Sequence, residues 1–211
     1  MKHLKKFNNI YSLNNYKRSN TYITPNILYN IQTKYLDYNR KLYKYLEYIE
    51  SSGSNYIELE NLNNYAEYNT NATIKFKVNL IEPGFDNTSQ PVVFGNGYNR
   101  FFIQRIANQN GLRVRLGTTN MNNTVNFNND IDAELTQQTI LNFNDLNYQT
   151  YLFCFSPSNK LFSHTKFYYL QLYKDDELVL DLIPVHNIIT NENGVLDRVR
   201  NKFYGFIEYN N

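Results

Sequence analysis

The chain is poor in the residues that most often brace small proteins or bind metals. Its 211 residues include one cysteine, no tryptophan, eight glycines and five prolines. A single cysteine excludes an internal disulfide. Cys154 lies in the apolar run at residues 151–155, where a free thiol packs as a small hydrophobic side chain. A catalytic thiol needs a histidine base beside it in space, and nothing in the sequence places His164 or His186 there.

Long apolar runs and strong charge are also missing. No window of about 18 uncharged apolar residues exists, so we expect no membrane-spanning helix. The N-terminus carries Lys2, His3, Lys5 and Lys6 and lacks the apolar core of a signal peptide. We therefore expect the protein to stay where it is made, unless it leaves inside a larger assembly. A net charge of +2 does not indicate nucleic-acid binding, and the basic cluster is interpreted as a solvated terminus rather than a phosphate-binding arm.

The common short motifs of enzyme chemistry do not occur in the sequence. There is no cysteine pair with zinc spacing, no His-Glu-x-x-His, no phosphate-binding loop and no Gly-x-Ser-x-Gly. The histidines at positions 3, 164 and 186 share no ligand spacing. We therefore expect neither a cofactor nor an enzymatic activity.

Two groups of carboxylates are candidates for chemistry. Glu58 and Glu60 lie two residues apart on a predicted strand, an arrangement that a glycosidase can use, although simple alternation of inward and outward residues also explains it. Asp130 and Asp132 follow two asparagines, and together these side chains offer oxygen ligands for calcium. Because that ligand pattern is incomplete, an acidic loop is the favoured interpretation.

Tyrosine and phenylalanine are abundant, with 20 and 14 residues. Stretches that alternate apolar and polar residues predict half-buried strands, and short continuous apolar runs bounded by turn residues predict central strands. Asn110-Gly111 lies between two such stretches and predicts a hairpin. Together these patterns predict an all-β sandwich or barrel. The alternating stretches are residues 73–78, 112–116 and 124–128, and the continuous runs are residues 92–94, 101–103, 151–155 and 167–173. In the first stretch Ile74, Phe76 and Val78 are predicted to share one face, and in the second both arginines are predicted to face outward. Asp175 and Asp176 are predicted to form a turn.

The N-terminal segment differs from the rest of the chain. It has too few aliphatic residues to form a core of its own, and Pro25 excludes a long helix there. We expect residues 1–44 to be an attachment segment and residues 45–211 to form the sandwich, with a hinge at residues 51–54. The alternatives for the local structure are strands at residues 27–31 and 35–38 or a helix over residues 35–49.

Three blocks of sequence resemble one known family. LEYIESSGSNYI spans residues 46–57, FYYLQLYKDDELVLDLIPV spans residues 167–185, and GVLDRVRNKFY spans residues 194–204. In order and spacing they resemble the laminin-G-like, concanavalin A-like jelly-roll modules of gut bacterial surface proteins and tailed-phage virion proteins. Residues 7–16, 22–29 and 36–39 together are similar to a short leader ahead of such modules in gut-associated tailed phages and their hosts. The chain departs from the family pattern just after the first block and in a longer loop at residues 188–191.

The resemblance implies a concanavalin A-like jelly-roll sandwich in a phage structural protein, located in the virion as a head fibre, tail fibre or capsid decoration. Residues 1–44 would dock on other virion proteins, and the jelly roll, as a homo-oligomer, would display a face for host-surface or glycan adhesion. A free carbohydrate-binding module or bacterial surface lectin is the alternative, less favoured because no secretion signal precedes the domain. A glycoside hydrolase that uses Glu58 is the third interpretation.

Some tyrosines and asparagines are candidates for sugar binding. A tyrosine ring can stack on the apolar face of a sugar, and an amide can match its hydroxyls. The candidate glycan-binding residues are Tyr98 and Asn99, in a predicted loop at residues 95–100, together with Tyr65 and Tyr68. In so tyrosine-rich a chain, packing on a sheet is the competing explanation for each ring.

Overall fold

The computed structural model describes the three blocks that carry the family resemblance and most of the predicted strands. It describes residues 42–61, 63, 71–81, 91–96, 98–106, 111–116, 120–124, 129–138, 148–159 and 161–209. Predictions that fall outside the described residues concern residues 1–41, Tyr65, Tyr68, residues 125–128 and the turn residue Asn110.

The described residues form fifteen β-strands in two antiparallel sheets. The strands are β1 (Tyr43–Tyr45), β2 (Ile49–Glu50), β3 (Asn55–Asn61), β4 (Asn71–Leu80), β5 (Val92–Asn96), β6 (Tyr98–Arg105), β7 (Gly111–Leu116), β8 (Asn120–Thr124), β9 (Asp130–Gln138), β10 (Gln149–Leu152), β11 (Thr165–Lys174), β12 (Glu177–Asn187), β13 (Glu192–Asp197), β14 (Lys202–Gly205) and β15 (Ile207–Glu208). The eight-stranded sheet has the order β14-β13-β12-β11-β4-β9, with β1 on β12 and β2 on β11. The seven-stranded sheet has the order β15-β3-β10-β5-β6-β7-β8.

The core lies between the inner faces of these sheets, so the predicted all-β sandwich is confirmed. Ile74, Phe76 and Val78, which were predicted to share one strand face, are completely buried in β4. Each such side chain contributes about 1.5–3 kcal/mol by leaving water. The opposing inward row crosses five strands of the seven-stranded sheet through Ile57, Leu152, Phe94, Ile103 and Val114.

Residues 43–50 fill a gap between β11 and β12. These two strands pair with each other near their shared turn, and beyond that point β1 pairs with β12 while β2 pairs with β11. The Leu46 amide donates a 3.1 Å hydrogen bond to the Pro184 carbonyl within this gap. The predicted domain boundary between residues 44 and 45 therefore falls inside β1. The helical alternative over residues 35–49 is wrong for its described part. There the backbone of β1 hydrogen-bonds to β12 and the backbone of β2 hydrogen-bonds to β11.

The connection from β2 to β3 carries the chain from one sheet to the other. Ser51 is completely buried, its amide donates a 3.1 Å hydrogen bond to the Thr165 carbonyl, and its hydroxyl donates to the Ser163 carbonyl. Gly53 follows with a φ of 80°, a conformation that glycine adopts without strain. The predicted hinge at residues 51–54 is wrong at Ser51, because this residue is buried and hydrogen-bonded to residues 163 and 165 of the sandwich.

Strand β10 ends earlier than the sequence predicted. The apolar run at residues 151–155 was expected to be one strand, but Phe153 has a φ of 69° and turns the chain out of the sheet after Leu152. The Phe153 ring is completely buried. It packs edge-on against Phe167 at 6.1 Å and stacks on Phe206 at 5.6 Å, and these contacts hold the unusual backbone conformation in place.

Acidic and amide side chains occupy the left-handed turn positions. Asp175 and Asp176 have φ values of 44° and 66° and join β11 to β12, the backbone of a type I′ hairpin turn. The turn predicted there is confirmed. Asn191 and Asn201 have φ values of 58° and 52°, as expected for the residue type that tolerates this region best after glycine.

Candidate functional site

A β-bulge in β11 places two consecutive tyrosines on the outer face of the eight-stranded sheet. Phe167 pairs with Val78 and Tyr169 pairs with the next residue, Lys77, so Tyr168 is an extra residue in the ladder. Phe167 is buried in the core, whereas Tyr168 and Tyr169 are only half-buried. Bulges re-aim side chains in this way, and they are over-represented next to functional sites. The prediction that residues 167–173 form a central strand is confirmed, because β11 lies between β12 and β4.

Tyr168 is tied to the edge of the sheet through Asp130. Its hydroxyl donates a 2.8 Å hydrogen bond to Asp130 Oδ1, and Lys77 Nζ lies 2.8 Å from Asp130 Oδ2. Lys77 Nζ also lies 4.5 Å from the centre of the Tyr168 ring, within cation–π range. The Asn79 amide donates a third bond of 3.2 Å to Asp130. Direct contacts thus hold the Asp130 carboxylate, the Lys77 ammonium and the Tyr168 phenol together.

These contacts change the proton affinities of the groups. The hydrogen bond from Lys77, followed by that from Tyr168, holds the pKa of Asp130 below its usual value. The same Lys77–Asp130 bond raises the pKa of the lysine. Desolvation, followed by the bond to Asp130, raises the pKa of Tyr168 to about 12. At neutral pH the cluster therefore consists of a carboxylate, an ammonium and a neutral phenol that is a hydrogen-bond donor.

A second cluster continues along the same face. Lys75 Nζ lies 3.0 Å from Glu134 Oε1 and 5.3 Å from the centre of the Tyr173 ring. Tyr169 donates a 2.7 Å hydrogen bond to Asp132, and desolvation followed by this bond raises the pKa of Tyr169 to about 12.

The segment between β1 and β2 adds a third tyrosine beside the bulge. The rings of Tyr48 and Tyr168 lie 5.7 Å apart at 54°, and Lys166 Nζ lies 4.7 Å from the centre of the Tyr48 ring. Tyr48 is 36% exposed. We call this surface the tyrosine–lysine face. It consists of Tyr48, Lys75, Lys77, Lys166, Tyr168, Tyr169 and Tyr173 with the carboxylates Asp130, Asp132 and Glu134.

The tyrosine–lysine face combines aromatic rings with charged and hydrogen-bonding groups. Its positive and negative charges are paired locally, so donors and acceptors alternate over the sheet instead of forming a field of one sign. Aromatic rings beside such polar groups suit a ligand that has both apolar and hydroxyl-bearing surfaces. Side chains that are already held by neighbours lose little conformational entropy when a ligand binds.

Two of the glycan-binding residues predicted from the sequence, Tyr98 and Asn99, lie in the other sheet. Tyr98 and Asn99 were expected in a loop, but they begin β6 in the seven-stranded sheet, where Tyr98 pairs with Asn96. Tyr65 and Tyr68 lie outside the described residues. Reasoning from the sequence missed Tyr168 and Tyr169, although there was a usable signal. Two tyrosines lie between the core residues Phe167 and Leu170, and strict period-two alternation cannot bury both flanking residues.

Of the carboxylates considered for catalysis and calcium binding, Glu60, Asp130 and Asp132 are engaged in other contacts. Glu58 is exposed and Glu60 is half-buried on the outward face of β3, as alternation predicted. Lys202 Nζ donates to Glu60 Oε1, and the Tyr204 hydroxyl lies 3.3 Å from the same oxygen. The bond from Lys202 lowers the pKa of Glu60, whereas a glycosidase acid needs a raised one.

The calcium hypothesis meets a similar obstacle. Asp130 and Asp132 accept hydrogen bonds from lysine, asparagine and tyrosine side chains. Among the described residues, no group of three or more histidine, cysteine or acidic side chains has the spacing of a metal site.

Cys154 is a core residue, as its sequence context predicted. The side chain is completely buried. Burial, with a smaller contribution from the charge of Glu58, raises the pKa of the thiol to about 12. The histidine nearest in sequence is His164, and its Nε2 atom lies 2.9 Å from Glu50 Oε1. The thiol therefore stays protonated in the folded protein, which makes it a poor nucleophile.

The chain matches no protein-family model, no curated protein and no solved structure. Within the part of the chain that the structure describes, no helix has the length and apolarity needed to cross a membrane. The function has to be inferred from the fold and from the groups on its surface.

Proposed function

We propose that this chain is a structural protein of a tailed-phage virion whose sandwich displays a glycan-binding adhesive face. The tyrosine–lysine face is the adhesive surface. One observation carries this proposal, namely the bulge at Tyr168, which turns two neighbouring tyrosines outward beside three lysines and three carboxylates. Bulges re-aim side chains and are over-represented next to functional sites, which supports an adhesive role for this face.

The way the three sequence blocks assemble supports a single jelly-roll module. Residues 46–57 contain β2 and the start of β3, residues 167–185 contain most of β11 and β12, and residues 194–204 contain most of β13 and β14. β2 pairs with β11, β11 with β12, β12 with β13, and β13 with β14. Blocks that lie more than 100 residues apart in sequence therefore form one continuous part of a sheet, as expected if they belong to one concanavalin A-like module.

The position of the N-terminal segment is compatible with attachment. The chain enters the sandwich beside the β12–β13 turn, where the Ile188 amide donates a 2.9 Å hydrogen bond to the Leu42 carbonyl. In the proposed arrangement, residues 1–44 dock on other virion proteins and the sandwich faces outward. A homo-oligomer would present several copies of the face, and multivalency strengthens adhesion when each site is weak.

The virion assignment can be tested on particles of the phage that encodes the chain. Mass spectrometry of purified particles should detect the chain at a fixed ratio to the major capsid protein. A version without residues 1–41, which keeps the whole of β1, should fold and yet be missing from the particles. Particles that lack the full chain, or that incorporate the truncated chain at the wild-type level, contradict the assignment.

The adhesive face can be tested separately with the purified full chain on an array of bacterial surface polysaccharides. Tyr168→Ala should weaken binding to the recognised glycan by about two- to tenfold, because stacking of an aromatic ring is worth about 0.5–1.5 kcal/mol. Tyr45→Ala is the matched control, since Tyr45 is 51% exposed and lies in β1, outside the face. Equal losses in both variants, or no saturable binding by the wild-type chain, contradict a glycan-binding role for the face.

A further inference from the structure

One arrangement of three groups occurs repeatedly in this protein. A lysine ammonium pairs with a carboxylate and at the same time lies over a tyrosine ring, so that ion pairing and cation–π attraction act on one charge. The ammonium-to-ring distances are 4.5 Å, 5.3 Å and 4.9 Å. Among the described residues, the three instances are Lys77 with Asp130 and Tyr168, Lys75 with Glu134 and Tyr173, and Lys202 with Glu60 and Tyr204.

Glu58 presents two of these three groups on the outer face of the seven-stranded sheet. It lies two residues before Glu60 on β3, and its side chain is exposed. Tyr151 is its direct neighbour on β10, and Tyr56 lies two residues before it on the same strand face. The Tyr56 and Tyr151 rings are 5.9 Å apart at 70°. Both tyrosines are half-buried, so the carboxylate stands beside two rings that are partly accessible to a ligand.

The group missing from this site is the ammonium. Within the described ranges, no lysine, arginine or histidine forms an ion pair with Glu58. The negative charge of Glu58 acts on the neighbouring Tyr56 and Tyr151. After desolvation, Glu58 is the largest cause of the raised pKa values of Tyr56 and of Tyr151, the latter about 12.

We propose that Glu58, Tyr56 and Tyr151 form a binding site for a primary ammonium group, supplied by a lysine side chain of a partner protein. In each of the three described instances the ammonium belongs to a lysine. Its flexible four-carbon stem lets the ammonium reach a carboxylate while the stem covers an aromatic surface. The site lies on the opposite sheet from the tyrosine–lysine face, so it does not depend on the proposed glycan binding.

The test uses the full chain, labelled with ¹⁵N and observed by NMR, and a small probe that carries the proposed group. Nα-acetyl-lysine N-methylamide, whose side-chain ammonium is free, should shift the signals of residues 56–58 and 151 in a saturable manner. Nα-acetyl-norleucine N-methylamide, which lacks the ammonium, should not. Glu58→Gln should weaken binding of the lysine probe by about threefold or more. Raising the salt concentration to about 1 M should weaken it as well.

Two controls make the result decisive. Glu177→Gln removes another exposed carboxylate, at the β11–β12 turn, and should leave binding unchanged. Glucosamine carries the same ammonium on a sugar, so shifts produced by glucosamine and not by the lysine probe would overturn a protein lysine as the source. Equal binding of the norleucine probe, or unchanged binding by Glu58→Gln, would overturn the ammonium site itself.

Discussion

The Tyr168 hydroxyl reaches across a whole strand to donate its 2.8 Å hydrogen bond to Asp130. Tyr168 belongs to β11 and Asp130 to β9, and β4 lies between them. Since neighbouring strands are about 4.8 Å apart, the ring has to lie along the sheet rather than stand upright from it. The tyrosine therefore forms part of a flat surface, which is the form that an extended glycan would meet.

Replacing Tyr168 by phenylalanine should measure what this bond contributes. The ring is retained and the hydroxyl is lost, so we expect the free energy of unfolding to fall by about 1 kcal/mol in urea denaturation of the full chain. Tyr45→Phe is the control, because the Tyr45 hydroxyl has no hydrogen-bond partner among the described residues, and it should change stability by much less. Equal effects of the two substitutions would show that the bond to Asp130 does not stabilise the fold.

The Glu60–Lys202 ion pair should make stability depend on pH in acid. The bond from Lys202 lowers the pKa of Glu60 from its usual 4.5. A carboxyl whose pKa is lower in the folded state stabilises the protein above the unfolded pKa, and this stabilisation is lost as the pH falls through the folded value. Glu60→Gln should therefore have a lower Tm than wild type at pH 7, and the difference should shrink as the pH falls below about 4.5. Lys202→Met should show the same convergence, and a difference that stays constant down to pH 3 would contradict this account.

Gly194 in β13 and Gly205 in β14 pair with each other and offer a matched pair of substitutions. A Cβ atom on Gly194 would lie 2.2 Å from the Tyr204 carbonyl oxygen, whereas one on Gly205 would lie 3.5 Å from the nearest atom, in the Phe203 ring. Because a backbone carbonyl in a paired strand cannot move aside cheaply, Gly194→Ala should lower the free energy of unfolding by about 1–3 kcal/mol or more. Gly205→Ala should be close to neutral. Similar urea midpoints for the two variants would contradict this packing.

Cys154 should be unreactive until the protein unfolds. The thiol is completely buried, and burial raises its pKa to about 12, so the reactive thiolate is scarce and inaccessible at pH 8. A colorimetric thiol reagent should modify the native chain only very slowly and the urea-unfolded chain at once. Rapid modification of the native protein would place Cys154 at the surface and refute its assignment to the core.

Local pattern was sufficient for much of the fold. Alternation with period two identified β4 and β7, and it placed Ile74, Phe76 and Val78 on the inward face. The turn at Asp175 and Asp176 was predicted because these residue types tolerate the left-handed backbone that the turn requires. Such features depend on residues within a few positions of each other, so one stretch of sequence contains the information that decides them.

The candidate binding face was not predictable in the same way. Tyr168 and Tyr169 resembled part of an apolar core strand, and only the pairing of β11 with β4 shows that one of them is an extra residue. Their partners Asp130 and Asp132 are nearly 40 residues away in sequence, and were interpreted as an acidic loop. The hinge expected at residues 51–54 is wrong at Ser51 for a related reason, since this residue is buried by residues more than 100 positions away.

The sequence by itself determined that β4 and β7 are strands and which side of each faces the core, because side-chain alternation is a property of the local backbone. Only the tertiary structure decided the bulge at Tyr168, the insertion of residues 43–50 between β11 and β12, and the solitary carboxylate of Glu58 beside two tyrosines. These features follow from register and pairing between distant strands, in which a shift of one residue exchanges the outer and inner faces.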